Sequence, residues 1–160
     1  MDIIFIGLLL CLLIVFFQDW EYRAIHVLLP ILIFLSSYLI VKLENNLSNK
    51  IILLNASFFL ITLSILTIYM SLKNKRFLNP FQNYFGLGDL LFYITITPLF
   101  NLKNYILFFI LSMLFAICLQ FTLRKKMKHN TVPLAGFSSL FLFIILAMDS
   151  LLSLPKISVL

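Results

Sequence analysis

The sequence predicts an all-α fold: a polytopic transmembrane helix bundle of about six helices, forming one membrane-embedded domain over residues 1–160. Three observations predict it. Hydrophobic residues make up 62% of the 160 and charged residues 11%, where soluble domains run near 45–50% and about 25%. The mean hydropathy is +1.10, and a globule of this size has too little interior to hide that much apolar surface. The apolar residues also fall into long runs separated by short polar stretches. These features exclude a soluble domain, a disordered chain and a nucleic-acid binder, despite the net charge of +6.

A helix needs about 20 apolar residues to cross the bilayer. The first run, Ile3–Phe17, is short, and Gln18 to Trp20 extend it into the interface. Met1-Asp2-Ile3 has no basic n-region and no small-residue cleavage site follows, so this run reads as a retained helix rather than a signal peptide. The second, Ile25–Val41, contains Pro30, tolerated in the first turns or as a kink. The third, fifth and sixth runs, Ile51–Leu72, Tyr105–Leu123 and Val132–Leu154, are long enough to span. The fourth, Leu90–Phe100, is short and carries Pro98 near its end. It either borrows residues on both sides or stops short of crossing. Asn55, Ser57, Thr62 and Ser64 in the third run read as interhelical hydrogen-bonding groups.

Basic residues orient the bundle. The odd loops hold Arg23, then Lys73, Lys75 and Arg76, then Arg124, Lys125, Lys126 and Lys128. The other side holds Lys42, Lys50, Lys103 and Lys156. The odd loops are therefore expected in the cytoplasm and both termini outside. The basic runs read as topology signals that also touch anionic lipid.

Cys11 and Cys118 lie far apart in apolar runs, with no CxxC and no Cys/His cluster. Neither a disulfide framework nor a metal site is expected, and no cofactor is.

A carboxylate at membrane depth is expensive, and the chain has six: Asp2, Asp19, Glu21, Glu44, Asp89 and Asp149. Asp2, Glu21 and Glu44 fall at loops or helix ends. Asp149, beside Ser150 and Ser153, reads as a polar contact at the outer end of helix six. Asp19 and Asp89 stand apart. One closes the first helix and the other opens the fourth, so both come to the cytoplasmic membrane surface. Two carboxylates in a partly dry site share one proton. The ionised member can then activate water while the protonated member donates to the leaving group. On helix dipoles alone, Asp89 at a helix N-terminus favours the anion and Asp19 at a C-terminus the acid. Asp19 is thus expected to hold the proton more of the time.

The residues before Asp89 read Tyr84-Phe85-Gly86-Leu87-Gly88-Asp89-Leu90. Two glycines there let backbone bend freely and let a peptide approach. The same pattern also fits a plain helix cap, with Asp89 accepting from its own backbone amides.

Through this GxGD the chain resembles the type IV prepilin peptidase family, membrane aspartyl proteases that share this signature with presenilin-type intramembrane proteases. The family's first aspartate is followed by a basic residue and Ile-Pro. Asp19-Trp20-Glu21-Tyr22-Arg23-Ala24-Ile25-His26 is similar, with His26 in place of proline. The second family aspartate matches Asp89 after Gly86, Leu87 and Gly88. Leu91 stands where the family often has lysine. Val132-Pro133-Leu134-Ala135-Gly136-Phe137 resembles a late Pro-rich segment, with Gly136 where a second proline is common.

The resemblance implies cleavage of the short basic leader of prepilin-like or pseudopilin-like membrane proteins, at the cytoplasmic face of a bacterial or archaeal inner membrane. Asp19 and Asp89 would be catalytic, and Gly86, Gly88, Arg23 and Pro133 would position the substrate. It is the minimal peptidase form that the chain resembles; the family's cysteine-rich methyltransferase extension has no counterpart, so N-methylation is not expected. Arg23 lies four residues after Asp19, so a helix extended through both would put them on one face. His26 reads as structural, and His129 has no evident partner.

Two other readings compete with this one. A lipoprotein signal peptidase also uses two aspartates, but resembles a four-helix bundle with different motifs. A non-enzymatic transporter or assembly factor, including an inactive peptidase homologue, accounts for His26, Leu91 and Gly136. It leaves the two aspartates unexplained.

Overall fold

A computed structural model of the chain describes residues 2–44, 49–75, 86–123 and 132–152. Arg76, Tyr84, Phe85, the basic cluster from Arg124 to Lys128, His129, Ser153 and Lys156 lie outside the described residues, as do the side chains of Asp2 and Glu44. Among the described residues the protein is all-helical. The elements are α1 (Asp2–Tyr22), α2 (Leu28–Glu44), α3 (Asn49–Asn74), α4 (Leu87–Thr95), a 3-10 turn (Thr97–Leu99), α5 (Leu102–Leu123) and α6 (Leu134–Leu152).

Each apolar run becomes one helix. Helix α1 is longer than its apolar run because nothing between Gln18 and Tyr22 breaks it; Arg23, with φ 54°, does. Helices α1, α3 and α5 are each long and apolar enough to cross a membrane. Pro30 falls in the first turn of α2, where its missing N–H has no intrahelical acceptor to lose.

Helix α4 covers only part of the crossing, and the 3-10 turn after it carries the chain on to the end where α5 begins. The nine residues of α4 reach about 14 Å at 1.5 Å each, about half the hydrocarbon thickness. Thr97, Pro98 and Leu99 then form the 3-10 turn, with Pro98 near its start. A broken backbone at this depth survives only where protein surrounds it and its polar groups find partners. Both conditions hold. Thr95 through Phe100 is buried, and the Asn55 amide of α3 donates to the carbonyls of Thr97 (2.9 Å) and Phe100 (2.6 Å). The expected interhelical role thus holds for Asn55. It fails for Thr62 and Ser64, whose hydroxyls donate to Phe58 O and Leu60 O one turn back in α3. Hydroxyls on an outward helix face have those carbonyls as their nearest acceptors.

Helix α1 lies against α6 and α2, α5 against α6, and α4 against α2 and α6. The core runs through Leu8, Leu12 and Val15 of α1, Ile33 and Ile40 of α2, and Leu142 and Leu146 of α6. Phe59, Tyr93 and Phe109 join α3, α4 and α5, with ring centroids 5.1–6.0 Å apart. The Tyr93 hydroxyl is 2.8 Å from both Ser112 Oγ of α5 and Ser138 Oγ of α6, and Tyr105 donates to Tyr93 O. The outward faces are apolar: Ile6, Leu10, Ile14 and Phe17 on α1 and Leu53, Ile61, Ile65 and Ile68 on α3 are exposed. Such faces suit hydrocarbon, which matches a membrane protein.

Candidate active site

The end of α1, the start of α4 and the start of α6 meet at one end of the bundle. Asp19 is in the last turn of α1 and is 7% exposed. Helix α1 closes when Arg23 turns left-handed and its N–H donates back to Asp19 O at 3.2 Å. That is the position where helices usually place glycine. The extended helix expected to carry Asp19 and Arg23 on one face does not form; the left-handed residue ends it. The two side chains are neighbours all the same, and Arg23 acts electrostatically on both Asp19 and Asp89.

Asp89 is the third residue of α4. Its Oδ2 accepts from the Gly86 N–H at 3.0 Å, the reach-back half of a capping box. Its Oδ1 leaves that cap and accepts from the Ala135 N–H of α6 at 2.7 Å. Asp19 Oδ2 accepts from the very next amide, Gly136, at 2.6 Å. These amides are available because α6 begins at Leu134, with Pro133 O accepting from Phe137 N. First-turn amides have no acceptor within their own helix. Two carboxylates 70 residues apart in sequence thus sit side by side on consecutive amides of one helix N-terminus.

That juxtaposition removes the basis for placing the proton on Asp19. The dipole argument considered only each aspartate's own helix. Both carboxylates in fact face the positive end of α6, which favours the anion at either. The pair titrates as a unit. Asp89 lies in a helix too short to span. Its burial, then the Asp19 charge, push its pKa up to about 6, against the lowering effect of the Ala135 and Gly86 amides and Arg23.

The glycines act through space rather than through unusual dihedrals. No glycine among the described residues has positive φ, and Gly86 is extended at φ −72°, ψ 148°. The expectation that they bend the backbone freely is therefore corrected. A Cβ on Gly88 would stand 3.1 Å from Ile25 Cδ1, so its bareness admits the α1–α2 connection. A Cβ on Gly86 would stand 3.1 Å from Asp89 Oδ2. Pro133 is buried and sets the start of α6. His26 has the structural role expected of it: its N–H donates to Gln18 Oε1, and its Nδ1 accepts from Leu28 N at the start of α2. Leu91 is half-buried on α4, and Asp149 lies in the last turns of α6, at the helix end away from the pair.

Sequence reasoning missed Gly136 and Ala135. A Cβ on Gly136 would stand 3.1 Å from both Cβ and Oδ2 of Asp19 and 3.3 Å from Phe16 O. Helices α1 and α6 touch backbone to backbone there, and Trp20 packs on Phe137 beside the contact at 5.7 Å. The available signal was Pro133, which announces a helix start and hence unpaired amides.

Chemically, this pair can share a proton, orient water and protonate a leaving group. No described cluster of three His, Cys, Asp or Glu is placed to hold a metal. Comparison of the chain with protein-family models, with curated proteins and with solved structures gives no match in any of the three.

Proposed function

We propose that this protein is a membrane aspartic endopeptidase that works through an Asp19/Asp89 pair and an activated water. The observation that carries the reading is the seating of both carboxylates on the consecutive amides of Ala135 and Gly136. An aspartyl peptidase needs two carboxylates close enough that one proton serves both. The ionised member takes a proton from water, and the resulting hydroxide attacks the scissile carbonyl. The protonated member gives its proton to the developing oxyanion; as the C–N bond breaks, the member that took a proton from water passes it to the leaving amine, and a gem-diol hydroxyl returns a proton to its partner. The fixed first turn of α6 holds the two acids without further rearrangement.

The substrate we propose is the short basic leader of a prepilin-like or pseudopilin-like membrane protein, cut where the leader meets its apolar stem. This rests on the resemblance carried by Asp19 to His26 and by Gly86 to Asp89. A basic leader also suits an acidic pair near a membrane surface. The odd-loop charge bias supports a site on the cytoplasmic side of an inner membrane.

A second reading has its own observation. Both carboxylates satisfy first-turn amides of α6, so they can serve as caps in a non-enzymatic membrane protein. One substitution separates the two. Asparagine keeps an oxygen that accepts from Ala135 or Gly136 but cannot share or transfer the proton. In membranes carrying a prepilin-leader reporter from the same organism, wild type is expected to shorten the reporter. Asp19→Asn and Asp89→Asn are each expected to abolish cleavage while thermal stability in detergent stays close to wild type. Wild type leaving every such reporter intact, or Asp89→Asn cutting normally, would sink the peptidase reading.

A further inference from the structure

One group beside the pair is left unused by that mechanism. Arg23 is half-buried, yet its Nε and Nη1 are shielded from solvent and have no hydrogen-bond partner among the described residues. Buried donors without acceptors are rare, because each forgoes hydration without replacement. A guanidinium offers five donors in a rigid fork and no acceptor, so whatever completes this site must bring oxygen.

The two carboxylates do not do so. Three of their four oxygens are engaged with amides, Asp19 Oδ2 with Gly136, Asp89 Oδ1 with Ala135 and Asp89 Oδ2 with Gly86, and neither shielded nitrogen of Arg23 bonds to the fourth, Asp19 Oδ1. Arg23 nevertheless sits in the electrostatic field of both acids. The backbone holds it there at a cost. A non-glycine residue in the left-handed region loses about 1 kcal/mol or more, and Arg23 has φ 54°. A glycine would close α1 more cheaply. The side chain is therefore the reason for an arginine at this turn.

We propose that Arg23 is a substrate-binding residue, whose guanidinium donates to backbone carbonyl oxygens of the polypeptide lying across the Asp19/Asp89 pair. This rests on the peptidase reading and deepens it. A bound peptide brings the chemistry the site lacks: uncharged oxygen acceptors that pair with the buried donors and do not compete with the carboxylates for protons. Arg23 acts electrostatically on Asp89 near the N-terminus of α4, where Gly86 is exposed while Gly88 is covered by Ile25, so the peptide would pass between Arg23 and Gly86.

The test uses a synthetic peptide with a lysine-rich leader joined to an apolar stem and containing no Asp or Glu. Any acceptor that Arg23 meets is then a backbone carbonyl. Binding is read by fluorescence anisotropy on detergent-solubilised protein carrying Asp89→Asn, and cleavage is read in parallel on the otherwise wild-type chain. Arg23→Gly preserves the left-handed turn and removes only the side chain, so loss of folding does not obscure the result. Arg23→Lys keeps charge without the fork. Hydrogen bonds from charged donors correspond to about tenfold or more in affinity. Arg23→Gly is thus expected to raise Kd and KM about tenfold or more and leave kcat at its pH optimum within about twofold, with the pH profile moved upward by loss of a charge that holds the Asp89 pKa down. Arg23→Lys should fall between.

Unchanged Kd and KM in Arg23→Gly would overturn the proposal. A shifted pH profile with unchanged KM would also overturn it, by making Arg23 a tuner of the acids instead. Peptide that binds wild type but is never cut would defeat the peptidase reading alone, with the Arg23 comparison still read by anisotropy. Peptide that neither binds nor is cut would defeat both.

Discussion

A missing side chain governs the distance between α1 and α6. The Gly136 N–H donates to Asp19, and its bare Cα leaves room for the Asp19 Cβ and the Phe16 carbonyl. One methyl there meets a backbone oxygen, which cannot rotate away, so α1 must shift. Gly136→Ala is expected to lower kcat several-fold, since contacts at 3.1–3.3 Å are relieved by a small shift of α1 and a displacement of about 1 Å would cost up to 10²-fold in a positioned site. The helix itself should persist, because alanine is the better helix former. Circular dichroism alongside the cleavage assay checks both halves. At the same scale, Asp89 sets a pH dependence. Its pKa is raised from the ordinary 3.8 to about 6, so the folded protein binds that proton more tightly than the unfolded chain. The stabilisation is full below about pH 4 and is lost as pH rises through about 6, reaching at most about 3 kcal/mol. Wild type is therefore expected to melt lower at pH 7.5 than at pH 4.5, and Asp89→Asn to show a much smaller difference. Cleavage should decline on the alkaline side of about pH 6, as the shared proton leaves.

At the scale of elements, α4 decides the architecture around the site. A nine-residue helix brings Asp89 to one end of the bundle and must stop inside it. The carbonyls of the broken backbone after it, at Thr97 and Phe100, then depend on a neighbour, and Asn55 supplies both bonds from α3. Asn55→Leu fills similar space but leaves the carbonyls of Thr97 and Phe100 buried and unpaired. A loss of about 2–4 kcal/mol is expected, at about 1–3 kcal/mol per stranded group. Thermal unfolding in detergent measures it, and an unchanged melting temperature would show that α4 is held by packing alone. The shortness of α4 was legible from the length of its apolar run and from Pro98. The dependence on Asn55 was only half legible. A polar residue in an apolar run advertises a partner, but not which one. Thr62 and Ser64 sent the same signal and bond within their own helix. Hydroxyls can always fall back on the carbonyl one turn earlier, whereas the Asn55 amide reaches across to a broken backbone.

At the scale of the whole molecule, six apolar runs became six helices because hydrocarbon demands internal backbone hydrogen bonding, and only a helix supplies it within one segment. The meeting of Asp19 and Asp89 was legible too, since an even number of passes returns both to the same face. Their common seat on α6 was not, because it depends on how closely α1 and α6 approach, and that is set by one glycine without any periodic pattern. Orientation follows from the same counting. Eight Lys and Arg fall in the odd loops against four on the other side, and the odd-loop Arg23, Lys73 and Lys75 lie at the end of the bundle that holds the acids. Lysine and arginine are retained on the cytoplasmic side during insertion, so the acids should face the cytoplasm and both termini the outside. A fusion of alkaline phosphatase after Leu160 is expected to be active and one of green fluorescent protein at the same point dark. Fusions truncated after Lys75 should give the opposite pair. Fluorescence from the terminal fusion would place the acids outside. A leader held in the cytoplasm could not then reach them, so the topology result bears directly on which substrates the pair can cut.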